Sequence, residues 1–483
     1  MYKKYKKAKE KSLNMLNKTK IVCTIGSQSE SESIMEQMLL EGMNVVRLNF
    51  AHGNLATQGR FAVTAKKLAL IHGKPLAIMI DTRGPKVRTH TFKEGNASIA
   101  KGCKVIIHMN PIIGSCDEFS VTYDGLFEDV QADDHILVDE GNLILRVIEK
   151  NKNDRTLICE SINSATIKDE SSVNVPSAKI NVPYLSQNDL VRVDFAIAEN
   201  LDFIGASFVR NGQDIIDLKN YIASKNGHQK VVAKIENLQA IQHLDEIIAA
   251  ADGIVIARGD LSIEVPVEDI PILQKRIVKK CNEAGKFVIV ATQILSSMSR
   301  NKKPSRAEVS DVANAILDGV DAIMLSNVSA TGKYPIEAVS TLSKIISRTE
   351  CEIFYKGKIQ KAYNSSEKTL NDAVALSVAD TALLVDAKLI VAFSESGTTA
   401  KRISKFRPYC PVAAVTSNED IRLSMTLHWG VYPVVSNQPT SELDYVTKAC
   451  EIAAYYGVKE GENIIITGGN GIGNTNFMKV VKL

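Results

Sequence analysis

Two apolar runs about one βα unit apart each end in charge. The run VVAKIEN at 231–237 delivers Lys234 and Glu236, and GIVIARGD at 253–260 delivers Arg258 and Asp260. Neighbouring strand ends lie side by side in a parallel α/β fold, so two carboxylates are expected to converge beside a lysine and an arginine. Two hard oxygen ligands suit Mg2+ or Mn2+, and flanking cations suit an anionic, phosphorylated substrate. These residue types imply a metal-assisted enzyme acting on a phosphate or a carboxylate. They do not name the reaction.

Such groups need a scaffold that brings strand ends together. Short β-branched runs recur at 21–25, 44–49, 76–81, 202–207, 231–236, 253–257, 287–292 and 321–326. Helical periodicity fills most intervals, at 31–41, 215–224, 240–250, 270–284 and 305–318. Eight strands with crossover helices predict a closed (β/α)8 TIM barrel, whose active site sits where all strands end. The strand ends carry Thr24, Arg47 and Asn49, Asp81, Ser207 and Arg210, Lys234 and Glu236, Arg258 and Asp260, Thr292, and Ser326. Hydroxyls often begin a loop; so many charged groups at strand ends are better explained by a site.

The predicted barrel comprises residues 19–86 and 184–350. Between them, 87–183 lacks helical period and reads as hairpins, turned at Glu140–Gly141–Asn142 and at 150–154. This predicts an inserted all-β, barrel-like lid over the catalytic face. From 351 to 483 the pattern resumes as a separate α/β unit with an open, mostly parallel sheet. Its loop Ser394-Glu395-Ser396-Gly397-Thr398-Thr399 opens a helix, a geometry suited to a phosphate as well as to an ordinary turn. The glycine-rich stretch at 468–476 leads into another strand-like run, which argues against a dinucleotide fingerprint.

Bulk properties exclude several classes. A chain of 483 residues has room for about two to four domains. Its 45% apolar and 23% charged composition is that of a globular protein. No long basic stripe interleaves with aromatics, so nucleic acid is not an expected partner. No apolar run is long enough to span a membrane. Residues 1–18 read as a basic, solvated tail, with a membrane-surface contact as the weaker alternative. The eight cysteines form no CxxC pair and mostly sit in apolar segments, as expected of reduced thiols in a cytoplasmic protein without a zinc site.

The local sequence resembles the pyruvate kinase family. The resemblance rests on TKIVCTIG at 19–26, NVVRLNFAHG at 44–53, DTRGPKVRT at 81–89, KIEN at 234–237, ARGDL at 257–261, ATQIL at 291–295, SRAEVSDVANAILDG at 305–319 and MLS at 324–326. It covers nearly the whole chain, in order. It implies transfer of a phosphoryl group from phosphoenolpyruvate to ADP, giving pyruvate and ATP in glycolysis. Arg47 and Lys234 would contact the phosphoryl group, Glu236 and Asp260 would hold Mg2+ (or Mn2+), and Thr292 would lie on a proton path to the enolate carbon. Ser207, Gly259, Asp260 and Thr292 would line the substrate site. Ser394, Ser396, Gly397 and Thr399 would form an effector-phosphate loop, open to a sugar phosphate. A homotetramer is the family's usual assembly.

Departures from the family pattern matter. Potassium-dependent members carry serine where this chain has Ala51, and glutamate where it has Lys86; Asn49, Asp81 and Thr82 complete that cation region. Losing a hydroxyl ligand and gaining a tethered ammonium both predict activity without K+. Elsewhere Ser262 replaces a glycine, Ser296 a glutamate, and Asn327-Val328-Ser329 a Gly-Glu-Thr. Losing glycine is expected to strain any turn that needs positive φ. These changes keep two alternatives open: a catalytically weak, phosphometabolite-binding regulatory paralogue, and a metal-dependent aldolase or lyase on the same barrel.

Overall fold

The computed structural model describes residues 16–50, 53–365, 369–469 and 474–483. Ala51 and His52, most of the basic tail, and residues 470–473 of the glycine-rich stretch lie outside the described residues.

Eight parallel strands close a barrel: Lys20–Thr24, Val45–Leu48, Ala77–Asp81, Phe203–Ala206, Lys230–Ile235, Gly253–Ala257, Phe287–Ala291 and Ala322–Leu325. Each pairs with its neighbour in sequence, and the last pairs with the first through Ile21–Ile323. Nearly every strand residue is buried, because parallel strands are covered on both faces. Val22, Val45, Met79, Phe203, Val232, Val255, Phe287 and Ile289 fill the interior.

Each strand lies within a residue or two of its expected run. The helices were less legible. Leu55–His72, Gln187–Ala198 and Pro335–Glu350 were not anticipated. The helix expected over 240–250 is two, Leu238–Gln242 and Leu244–Ala250, because His243 between them leaves helical dihedrals at φ −104° and ψ 21°. A short helix, Arg258–Glu264, starts directly after the sixth strand.

The inserted segment is a seven-stranded curled sheet with its own core. Its two edges meet at the bridge between Thr89 and Val121. The two expected hairpins are both present, joining His135–Val138 to Leu143–Asn151 and the latter to Thr156–Ser161. The C-terminal sheet has four parallel strands, Val431–Val435, Val412–Thr416, Leu389–Phe393 and Asn463–Gly468. An antiparallel edge strand, Phe477–Lys482, completes it.

Side chains lock this last unit beneath the barrel. Arg407 forks onto Asp321 with contacts of 2.5 and 2.9 Å, and the Trp429 N–H donates to the same carboxylate at 3.0 Å. Leu427 joins the barrel's interior cluster. Trp429 is therefore a packing residue.

Candidate active site

The second, third and fifth strands converge on one carboxylate oxygen. Arg47 donates to Asp81 Oδ2 through Nε at 3.0 Å and through NH2 at 2.6 Å, and its NH1 donates to Thr24 Oγ1 at 3.0 Å. The Lys234 ammonium lies 3.2 Å from the same Oδ2, 2.9 Å from Glu236 Oε1 and 3.0 Å from Ser207 Oγ. Two cations are thus fixed side by side at the barrel mouth. Among the described residues Asp81 Oδ1 has no hydrogen-bond partner; it is buried and packs on Gly205, where a Cβ would lie 2.3 Å from it.

Burial raises the Asp81 carboxyl, but Arg47 and Lys234 outweigh it and hold it below its ordinary range. Burial alone would lower Lys234; Asp81 and Glu236 reverse this and raise it. Glu236 is raised by burial and by the nearby Asp260 charge, against Lys234 and the Phe208 N–H. A raised lysine argues for an ion pair and a raised glutamate against it. The 2.9 Å contact and the second anion at Asp81 support a charged Lys234.

Glu236 is 1% exposed and its other oxygen accepts from the Phe208 N–H at 2.6 Å. Asp260 is more open, and its Oδ1 lies 3.3 Å from Lys86 Nζ. The two carboxylates repel one another, and a divalent cation held between them would relieve that repulsion. The donor set therefore fits Mg2+ or Mn2+.

Not every expected group faces this mouth. Arg258, expected beside the carboxylates, turns instead toward the helix Arg306–Asp318. It grips Asp311 at 2.7 and 2.8 Å and the Thr292 carbonyl at 2.9 Å. The arginine at the carboxylates is Arg47. Lys86 pairs with Asp260 and stacks 4.4 Å from the centre of the Phe208 ring; it forms no ion pair with Asp81. Thr82 accepts from the Ser207 N–H at 3.0 Å, and the Asn49 carbonyl accepts from Gln58 at 3.2 Å. Ser207 is 3% exposed, so its hydroxyl is committed to Lys234.

Thr292 follows the seventh strand at φ +71°, a value that is a genuine outlier for a β-branched residue. Such backbone strain costs about 1–3 kcal/mol and gathers at functional sites. Gly259 faces it, and a Cβ there would lie 2.6 Å from the Thr292 methyl. Phe208 also has positive φ, at +52°, which aims its N–H at Glu236. Nothing in its residue type flagged Phe208; its only signal was its place directly after a strand-end serine.

Two expected strains are not found. Ser262 lies inside the helix Arg258–Glu264, its hydroxyl donating to the Gly259 carbonyl at 2.7 Å. Asn327 lies in the helix Asn327–Ala330. Neither has positive φ, so neither position needs glycine. Ser329 is fully buried and donates to the Thr24 carbonyl at 2.8 Å, while Val328 packs in the core.

In the C-terminal loop, Gly397 adopts φ +76° and opens the helix Thr398–Lys405. Ser394 Oγ accepts from the Thr399 N–H at 3.1 Å, and Thr399 donates to the Asn474 carbonyl at 3.2 Å. These two hydroxyls are turned inward. Ser396 and Thr398 remain at the rim, bonded to each other at 2.8 Å. A cleft of about 360 Å3 lies away from the carboxylates, behind the lid's return segment, lined by Lys179, Arg210, Gln239 and His243 among others. A smaller one, about 70 Å3, touches the mouth at Lys86 and Phe208. The chemistry follows the charged groups rather than the larger cleft.

A family model described as pyruvate kinase, barrel domain, matches residues 16–339, and one described as pyruvate kinase, alpha/beta domain, matches residues 372–481. The chain belongs to the pyruvate kinase family. The pyruvate kinase of Bacillus licheniformis is 42% identical over 469 residues, covering 96% of this chain and 80% of that protein. That of Geobacillus stearothermophilus is 41% identical over 471 residues, with the same coverage. A crystal structure of a pyruvate kinase from Cryptosporidium parvum superposes with a TM-score of 0.92 at 33% identity, over 97% of each chain. As a pyruvate kinase, the chain is a phosphotransferase whose substrates are phosphoenolpyruvate and ADP, whose product is pyruvate, and whose family uses a divalent metal. The lyase and regulator alternatives gain no support. Among the described residues no helix is long and apolar enough to cross a membrane.

Proposed function

We propose that Arg47, Lys234, Glu236, Asp260 and Thr292 carry the pyruvate kinase reaction in this chain, with Mg2+ as the divalent ion and without K+. The observation that carries this reading is the meeting of Arg47 and Lys234 on Asp81 Oδ2, beside a Glu236 that Lys234 also contacts and that the Asp260 charge repels.

Phosphoenolpyruvate presents a phosphate and a carboxylate. Arg47 and Lys234, pre-oriented on Asp81, bind the phosphoryl group and neutralise its oxygens as the bond to the enol oxygen breaks and the bond to ADP forms. Glu236 and Asp260 hold Mg2+, which when bound supplies Lewis-acid neutralisation of substrate oxygens. Lys234 stabilises the enolate oxygen left behind. Thr292 passes its hydroxyl proton to the enolate carbon, the C=C electron pair forms the new C–H bond, and solvent water returns a proton to Thr292. Ketonisation then makes reversal unfavourable.

Independence from K+ is supported by Ala51, which offers no hydroxyl, and by Lys86, which brings a tethered ammonium to the mouth. A phosphometabolite effector at Ser396 and Thr398, and assembly as a homotetramer, complete the reading; Gly397 and the helix it opens supply the phosphate geometry.

Mn2+ titration tests the metal assignment without recourse to activity. The wild type is expected to bind one Mn2+ per chain, with Asp260→Asn and Glu236→Gln each weakening it by about 10-fold or more. Unchanged binding in both variants would place the metal elsewhere.

A further inference from the structure

Thr292 is held by a device that reaches the next helix. Its carbonyl oxygen accepts from Arg258 NH2 at 2.9 Å. The same guanidinium is gripped by both oxygens of Asp311, at 2.7 Å through NH1 and 2.8 Å through NH2, and NH1 also reaches Gln274 Oε1 at 3.4 Å. Arg258 is 8% exposed, so this fork is shielded and its direction is set by Asp311. On the other side, the Thr292 methyl rests on the backbone of Gly259. The residue is thus clamped between its carbonyl and its methyl while its backbone sits at φ +71°. An unclamped threonine would relax out of that conformation.

We propose that Asp311 and Arg258 are positioning residues that hold Thr292 in its strained conformation and so set its hydroxyl for the proton step. The proposal rests on the reading of Thr292 as proton carrier. Neither residue touches substrate; Asp311 acts through Arg258, and Arg258 acts through the Thr292 carbonyl. The motif Arg258-Gly259-Asp260 then has three separate tasks: Arg258 fixes the threonine backbone, Gly259 leaves room for its methyl, and Asp260 faces the metal side. A bidentate fork suits the task because it fixes orientation as well as distance.

The test is a double-mutant cycle between Asp311→Asn and Thr292→Val in the full-length chain. It is read by exchange of the pyruvate methyl protons with D2O in the presence of Mg2+ and ATP. The Asp311 side chain is 36% exposed and asparagine keeps its shape, so the fold is retained; Arg258→Lys, which keeps charge but not the fork, is the second variant. Asp311→Asn is expected to slow exchange and kcat by about 10–100-fold, with KM for phosphoenolpyruvate changed by less than about threefold. In the Thr292→Val background the same substitution should add nothing. Unchanged exchange, a raised KM at full kcat, or effects that multiply in the double variant would overturn the proposal. Full exchange in Thr292→Val alone would overturn the proton-carrier reading and the positioning role with it, whereas a slow Thr292→Val with multiplying effects would overturn the positioning role only.

Discussion

The Lys86 ammonium lies 3.3 Å from Oδ1 of Asp260, linking the segment that enters the lid to the carboxylate proposed to bind metal. Lys86 was expected among Asn49, Asp81 and Thr82. Its place beside Asp260 instead ties its charge to the proposed divalent site.

This pairing bears on monovalent ions. Wild-type activity in sodium-free buffer is expected to change by less than about twofold on adding K+, since a tethered ammonium leaves little attraction for a free cation. Lys86→Glu combined with Ala51→Ser should lower activity and make it K+-stimulated. Several-fold stimulation of the wild type by K+ would contradict the reading.

Lys234→Met should cut kcat by about 10²–10³-fold, the scale of losing one preorganised stabiliser of transition-state charge. The fold should survive, because Glu236 is already raised by burial and takes a proton when its cation is gone. Circular dichroism and turnover measured on one preparation check both halves.

Asp202 opens the fourth strand's segment at the opposite end of the barrel, where its Oδ2 accepts from the Ile78 N–H at 2.7 Å. Burial outweighs that bond and pushes its carboxyl up to about 7. Between the unfolded value near 4 and about 7, the native state binds more protons than the unfolded chain, so this group's contribution to stability falls as pH rises through that window. Asp202→Asn should remove that fall, on the order of 2 kcal/mol between pH 5 and 8. Parallel slopes for wild type and variant in denaturant melts would refute it.

Arg407→Met should loosen the contact beneath the barrel. It leaves the buried Asp321 carboxylate with the N–H groups of Val288 and Trp429 as its donors among the described residues, a loss of about 3 kcal/mol or more. Thermal melts at fixed protein concentration are the check, and an unchanged Tm would show that the fork contributes no net stability.

The barrel strands were legible because each is an apolar run ending in a polar group, and parallel burial leaves little room for other patterns. The helix Leu55–His72 was not, because its alanines, lysines and exposed Leu70 and Ile71 blur the apolar stripe. The residues proposed for catalysis, Arg47, Lys234, Glu236, Asp260 and Thr292, stand at or directly after strand ends. Their partners were not. Arg258 was expected at the mouth, yet its direction is set by Asp311, 53 residues later. Phe208 and Thr292 act through positive φ, which residue type does not announce. Glycine loss at Ser262 and Asn327 brings no backbone strain because both positions are helical.

At the proposed Arg47–Lys234–Glu236–Asp260 site, one phosphoryl group passes from phosphoenolpyruvate to ADP. The most direct measurement follows pyruvate and ATP together from phosphoenolpyruvate, ADP and Mg2+, with no K+ present. Equal amounts of both products, abolished by EDTA and by Lys234→Met, are expected. Pyruvate without ATP, or undiminished turnover in Lys234→Met, would rule out phosphoryl transfer at this site.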